Sequence, residues 1–199
     1  YFEAPGSQSF EVMDVPGVCA AAHDNNIMTI MDNTWSAGYY FSPFKHGVDI
    51  SIQAATKYHC GHADAMLGFV ICKNEHFEQL KTTAVRFGTC AGPDVCNLGL
   101  RGIRTLDVRM PRHYENALKL AEWLAGRDEV ETVLHPALPS CPGHEFWKRD
   151  FTGASGLFGV VLKGYAQQAV DTMIDGMQLY GLGDSWGGYE SLLVPCNPA

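Results

Sequence analysis

The sequence predicts an α/β fold built on buried, mostly parallel strands, and three observations carry that prediction. Short apolar runs at residues 27–31, 48–52 and 66–72 alternate with stretches of helical spacing. The first two lead abruptly into polar groups, at Asp32 and at Gln53. The runs are apolar on both faces, which is the pattern of strands covered by helices on either side. At 199 residues the chain is long enough for one domain or parts of two, with a sizeable core.

Taken in order, Asp14 can cap a short helix through Val15, Val18, Ala21 and Ala22, with Pro16 tolerated in the first turn and Asp24-Asn25-Asn26 ending it. The strand at 27–31 follows, then a connection at 35–47 rich in aromatic and small residues, the strand at 48–52, a loop at 53–65 and the strand at 66–72. A helix at 75–87 is expected with Asn74 as its cap. Pro93 opens another helical stretch, which Pro111 should break or kink. Beyond it Tyr114, Ala117, Leu118, Ala121 and Leu124 repeat at helical spacing up to Gly126. Residues 130–134 and 157–162 read as strands, 166–177 as a helix, and a last strand lies near Leu179. The segment 136–155 reads as an irregular loop. A domain boundary is placed near residue 105, giving units 1–105 and 106–199.

Composition narrows the function. A formal net charge of −8 argues against a nucleic-acid binder and against a membrane-surface module. No apolar run reaches the roughly 18 residues that a bilayer span requires. The seven cysteines are irregularly spaced without a CxxC, which suits reduced thiols and a cytoplasmic setting better than a disulfide framework. The chain opens without methionine and stops in mid-pattern, so it is read as an internal piece of a longer protein.

The candidate chemistry centres on Lys57. Asp32 and Thr56-Lys57 each follow an apolar run, and open α/β sheets hold ligands just beyond the carboxyl ends of such strands. An acid and an amine brought to that edge suit pyridoxal phosphate (PLP), whose aldehyde needs a lysine and whose ring nitrogen needs a carboxylate. Thr56 adds a hydroxyl for a phosphate. The plainer alternative makes Lys57 a surface lysine and Asp32 a cap or turn residue, and spacing alone does not decide between them. His59-Cys60-Gly61-His62-Ala63-Asp64 invites a zinc reading, but it lacks a partner CxxC or HxxxH, and no metal is expected. Ser185-Trp186-Gly187-Gly188 is either a pocket-lining loop or a tight turn, and it is not a nucleotide loop. His144, Trp147, Lys148, Arg149 and Asp150 read as a salt-bridged packing segment.

Several stretches in order do decide. Glu3-Ala4-Pro5-Gly6-Ser7, Met31-Asp32-Asn33-Thr34-Trp35, Gln53-Ala54-Ala55-Thr56-Lys57-Tyr58, Arg101-Gly102-Ile103-Arg104-Thr105-Leu106, His135-Pro136-Ala137-Leu138-Pro139, residues 144–153 and Ser185-Trp186-Gly187-Gly188-Tyr189-Glu190-Ser191 together resemble the Cys/Met-metabolism family of PLP-dependent enzymes nearly end to end. Within that family they are most similar to the branch that cleaves cystathionine by β-elimination. The resemblance implies the aspartate-aminotransferase type of fold, PLP as cofactor, an amino-acid thioether substrate and a homo-oligomer, a dimer of dimers. Lys57 matches the family's Schiff-base lysine, Asp32 the carboxylate on the pyridine nitrogen, and Thr56 a phosphate-holding hydroxyl. Ser185 and Trp186 match the loop near the substrate carboxylate.

The implied reaction yields homocysteine, pyruvate and ammonia, a step of methionine biosynthesis. The alternatives are a γ-synthase, γ-lyase or sulfhydrylase of the same family, or a non-catalytic relative. Trp186 speaks against the former, which resemble the same loop with an aliphatic residue, and retention of Asp32, Thr56 and Lys57 speaks against the latter. Ala55, His59, Cys60 and Asp184 depart from the family pattern. The resemblance also implies that the phosphate-binding turn, the ring-stacking tyrosine and the carboxylate-binding arginine lie outside residues 1–199. The chain alone is therefore expected to be inactive and poorly folded.

Overall fold

The computed structural model describes residues 1–196. Its main sheet has the order β1 (Phe2–Glu3), β2 (Ile30–Asp32), β3 (Ile50–Gln53), β4 (Phe69–Cys72). The first three strands run parallel, with Ile30, Met31 and Asp32 opposite Ile50, Ser51 and Ile52. The edge strand β4 is antiparallel to β3. The expected α/β class with a mostly parallel sheet is therefore the observed one.

The strands are shorter than expected and sit later in their runs. Ile27 and Met28 stand exposed ahead of β2 rather than inside it, because α1 (Val15–Asp24) closes through backbone bonds from Asn25, Asn26 and Ile27. Asp14 stands at the N-cap position of α1 as expected but makes no side-chain cap bond, and its carboxylate pairs with Arg149. The expected cap of α2 (Asn74–Phe87) is displaced by one residue to Lys73, with Asn74 already helical.

The helical stretch opened by Pro93 breaks at Arg104-Thr105, not at Pro111. It forms α3 (Pro93–Ile103) and α4 (Leu106–Ala125), with Pro111 inside the latter. In the second turn of a helix a proline forfeits one backbone bond and can be carried by the packing around it. Here Met110 beside it is fully buried. Just before the break, Gly102 lies so close to the loop after Lys57 that a Cβ would stand 2.0 Å from the carbonyl oxygen of His59. Helix α3 thus lies with its backbone directly on the loop after Lys57.

A second sheet pairs β5 (Val130–Leu134) antiparallel with β6 (Gly159–Leu162), and α4 packs on it through Ala121 and Leu124. The segment between these strands is not irregular throughout. It contains α5 (His144–Asp150) and folds back on the first sheet. Phe151 and Ala154 join Val15, Met31, Trp35 and Phe41 in the main core, and Trp35 Nε1 donates to the Leu157 carbonyl at 2.9 Å. Arg149 bridges Asp14 and Asp150, as the packing role expected for this segment requires. Helix α6 (Gln167–Asp175) and a short parallel pair, β7 (Gly181–Leu182) with β8 (Leu192–Leu193), complete the described chain.

Candidate active site

The carboxyl ends of β2 and β3 converge on one edge because the turns that follow them are tied to each other. Asn33 N donates to the Ile52 carbonyl at 2.9 Å, and Ala54 N donates to the Thr34 hydroxyl at 2.7 Å. Asp32 therefore leaves β2, and Lys57 leaves the turn after β3, on adjoining strands. Asp32 Oδ1 accepts from Thr34 N at 2.9 Å, which fixes the carboxylate, and Oδ2 accepts from the Tyr1 hydroxyl at 3.3 Å. Among the described residues no Lys, Arg or His forms an ion pair with it.

Lys57 is partly buried, and its amine meets a loop from the far end of the chain. Nζ donates to Ser185 Oγ at 3.1 Å and lies 5.3 Å from the centre of the Trp186 ring. The ring in turn meets Tyr58 edge-on at 5.3 Å and packs against the small core of Ala37, Tyr40, Tyr58 and Met110. This approach depends on Gly187. Its φ is +85°, in the left-handed region, and a Cβ there would stand 2.7 Å from the Lys57 carbonyl carbon.

Tyr58 anchors the same turn from below. It is buried, its hydroxyl accepts from Gly156 N at 2.8 Å, and burial pushes its pKa up to about 12. The phenol therefore stays neutral and serves as a fixed post. His113 meets its ring edge-on at 5.1 Å. Neither Tyr58 nor Gly156 was singled out from the sequence. The only available signal was the position of Tyr58 directly after Lys57.

Thr56 sits differently from the expectation for a phosphate ligand. Its hydroxyl donates to the Leu67 carbonyl at 3.2 Å and accepts from Leu67 N at 2.9 Å, closing the loop of residues 56–67. Within that loop, His62 Nδ1 pairs with the Cys60 carbonyl at 2.7 Å, and the His59 ring packs on Phe69. Burial depresses the His59 pKa to about 4.

Among the described residues, the one group of three ligand-bearing side chains close enough for a metal lies at the opposite end of β3. There, atoms of Asp49, Glu75 and His76 lie within 4.8 Å of one another. The Asp49 carboxylate is already occupied: Lys73 Nζ pairs with Oδ1, while His23 Nε2 and Thr29 bond Oδ2. Burial would raise its pKa, but these partners outweigh burial and hold it well below the usual carboxylate range. A cation would have to displace the Lys73 ammonium.

The edge of the main sheet fits PLP in two of its demands. Asp32 is a fixed carboxylate with no cation paired to it among the described residues, so it can face a pyridinium. Among the described residues Lys57 is an amine held by a hydroxyl and an aromatic face, so it can reach an aldehyde. For the phosphate, Thr56 would have to exchange its Leu67 carbonyl partner.

Comparison with known proteins agrees with this chemistry. Residues 1–198 match the model of the family described as Cys/Met metabolism PLP-dependent enzyme. A "putative cystathionine beta-lyase" of Rhizobium johnstonii is 50% identical over 196 residues, covering 96% of this chain and 50% of that protein. The Escherichia coli "cystathionine beta-lyase MetC" is 46% identical over 201 residues, covering 100% of this chain and 51% of that protein. The crystal structure of cystathionine gamma synthase from Xanthomonas oryzae in complex with cystathionine superposes with a TM-score of 0.93 at 34% identity, covering 97% of this chain and 50% of that one. The chain thus spans about half the length of the relatives it matches. On the family match and on these identities, the chain belongs to the Cys/Met metabolism family of PLP-dependent enzymes.

Proposed function

We propose that the protein containing this chain is a carbon–sulfur lyase that cleaves L-cystathionine by β-elimination to homocysteine, pyruvate and ammonia. The observation that carries this reading is the Lys57 amine held between Ser185 Oγ and the Trp186 ring, in the turn after β3, the strand that pairs with the one ending at Asp32. Two β-lyase relatives at 46% and 50% identity support the substrate class.

When bound, PLP supplies the electron sink that makes the substrate Cα–H bond acidic. Lys57 Nζ would hold the cofactor, then take the Cα proton once the substrate amine has displaced it, and deliver that proton to the leaving sulfur. Asp32 would hold the ring nitrogen in its protonated form. Ser185 would orient the Lys57 amine, and Trp186 would cover one side of it with an aromatic face. In its phosphate role Thr56 would act together with groups elsewhere in the protein. Residues 1–105 are assigned to the large cofactor-binding domain and 106–199 to the C-terminal one, with the protein acting as a homo-oligomer in the cytoplasm. No helix of the described residues is long and apolar enough to cross a membrane.

A second reading is a γ-acting enzyme of the same family, favoured by the superposition on a γ-synthase. Trp186 weighs against it. The discriminating experiment feeds cystathionine to the purified full-length protein loaded with PLP. Pyruvate with homocysteine is the expected product pair, and 2-oxobutyrate with cysteine would reject β-elimination.

A further inference from the structure

We infer that Arg109, on α4, is a positioning residue for Lys57: its guanidinium holds the turn that carries the amine by the carbonyls that the turn leaves free. The inference rests on the proposed role of Lys57 and goes beyond it to a residue outside the pocket.

The turn after β3 consumes most of its own acceptors. Lys57 N donates to the Ala54 carbonyl, Cys60 N to the Ala55 carbonyl at 2.8 Å, and Gly61 N to the Lys57 carbonyl at 2.8 Å. The carbonyls of Tyr58 and His59 receive no backbone donor among the described residues. Arg109 supplies it. Its Nη1 donates to the Tyr58 carbonyl at 2.7 Å, and Nη2 reaches the His59 carbonyl at 3.5 Å.

The guanidinium is itself fixed from the other side. Nη2 donates to the Gly102 carbonyl at 2.8 Å, and Nε donates to the Thr105 hydroxyl at 3.0 Å. Both partners sit where α3 ends and α4 begins, so one planar fork joins that break to the Lys57 turn. Among the described residues Arg109 has no carboxylate partner, which is unusual for a half-buried guanidinium. Its hydrogen-bonding capacity is spent on three backbone carbonyls and one hydroxyl. Burial also lowers its pKa.

Lysine could place one charge near the Tyr58 carbonyl but could not span both sides. Arg109 therefore controls where the Lys57 backbone stands relative to Asp32 and to the Ser185-Trp186 loop. A displacement of about 1 Å there would cost up to about 100-fold in turnover.

The test compares full-length wild type, Arg109→Lys and Arg109→Ala, each checked by far-ultraviolet circular dichroism. Two quantities are read per folded subunit. One is the rate at which added PLP becomes trappable by borohydride on the Lys57 peptide, and the other is kcat and KM for cystathionine. The expected result is a loss of about tenfold or more in trapping rate and in kcat for both variants, with KM nearly unchanged. Added guanidinium ion is expected to restore part of the rate of Arg109→Ala. Wild-type trapping rate and kcat in a folded Arg109→Lys would overturn the inference. So would an unfolded Arg109→Lys, since Arg109 would then serve the fold at large. If wild type itself carries no adduct on Lys57, the proposed function fails instead.

Discussion

Lys57 and Ser185 are 128 positions apart in the chain, and the lysine amine donates to the serine hydroxyl at 3.1 Å. That bond joins the edge of the main sheet to the loop between β7 and β8, and the Trp186 ring beside it gives the amine an aromatic neighbour. The first predictions follow from this contact.

Ser185→Ala removes the acceptor that orients Lys57 while leaving the backbone in place. One hydrogen bond to a charged group contributes about 1.5–3 kcal/mol, so kcat for cystathionine should fall by roughly tenfold to a hundredfold. Steady-state kinetics on the PLP-loaded protein decides it. An unchanged kcat would remove Ser185 from the site.

Trp186→Leu forfeits a cation–π contact of about 0.5–1 kcal/mol and part of the packing on Tyr58. The variant should lose cystathionine turnover and raise the share of 2-oxobutyrate among its products. A product ratio identical to wild type would mean that Trp186 does not select β-elimination.

Gly187→Ala places a methyl 2.7 Å from the Lys57 carbonyl carbon at a φ of +85°. The left-handed backbone costs a non-glycine residue about 1 kcal/mol, and the clash adds to that. The loop should lift from Lys57, so activity falls more than global stability does. Comparing kcat with the urea midpoint of unfolding separates the two. A large midpoint shift with full activity would contradict the arrangement.

Stability should decline as pH falls from about 6.5 to about 4. His59 and His135 are buried, and burial depresses each pKa to about 4 from an ordinary 6.5; in His135, Nδ1 also accepts from Ala137 N. In that window the unfolded chain binds protons that the folded chain refuses, so protonation favours unfolding. Each histidine contributes a slope of up to about 1.4 kcal/mol per pH unit. Urea unfolding at pH 7 and pH 5 measures it, and His135→Phe should flatten the dependence. Equal midpoints at the two pH values would contradict the buried neutral histidines.

The fold class was legible because β2, β3 and β4 are apolar runs, the first two with abrupt polar ends, although the edge strand β4 leaves Val70 and Ile71 exposed. The limits of the strands were not legible, since Ile27 and Met28 are as apolar as Met31 and only the closing turn of α1 excludes them. The break lies at Arg104-Thr105 and not at Pro111, because a proline in the second turn of α4 is carried by the packing around it, which local spacing does not report. Asp32 and Lys57 were legible as strand-end groups. Their roles came from the ordered motifs around them. The roles of Arg109 and Tyr58 were not legible because what matters in each is a bond to distant backbone, which no local pattern records.

The most direct test of the central claim is borohydride reduction of the PLP-loaded full-length protein, followed by peptide mass spectrometry. A pyridoxyl adduct on the peptide containing Lys57, absent in Lys57→Ala, is the predicted result. An adduct on another lysine, or none in a folded protein, would contradict the account.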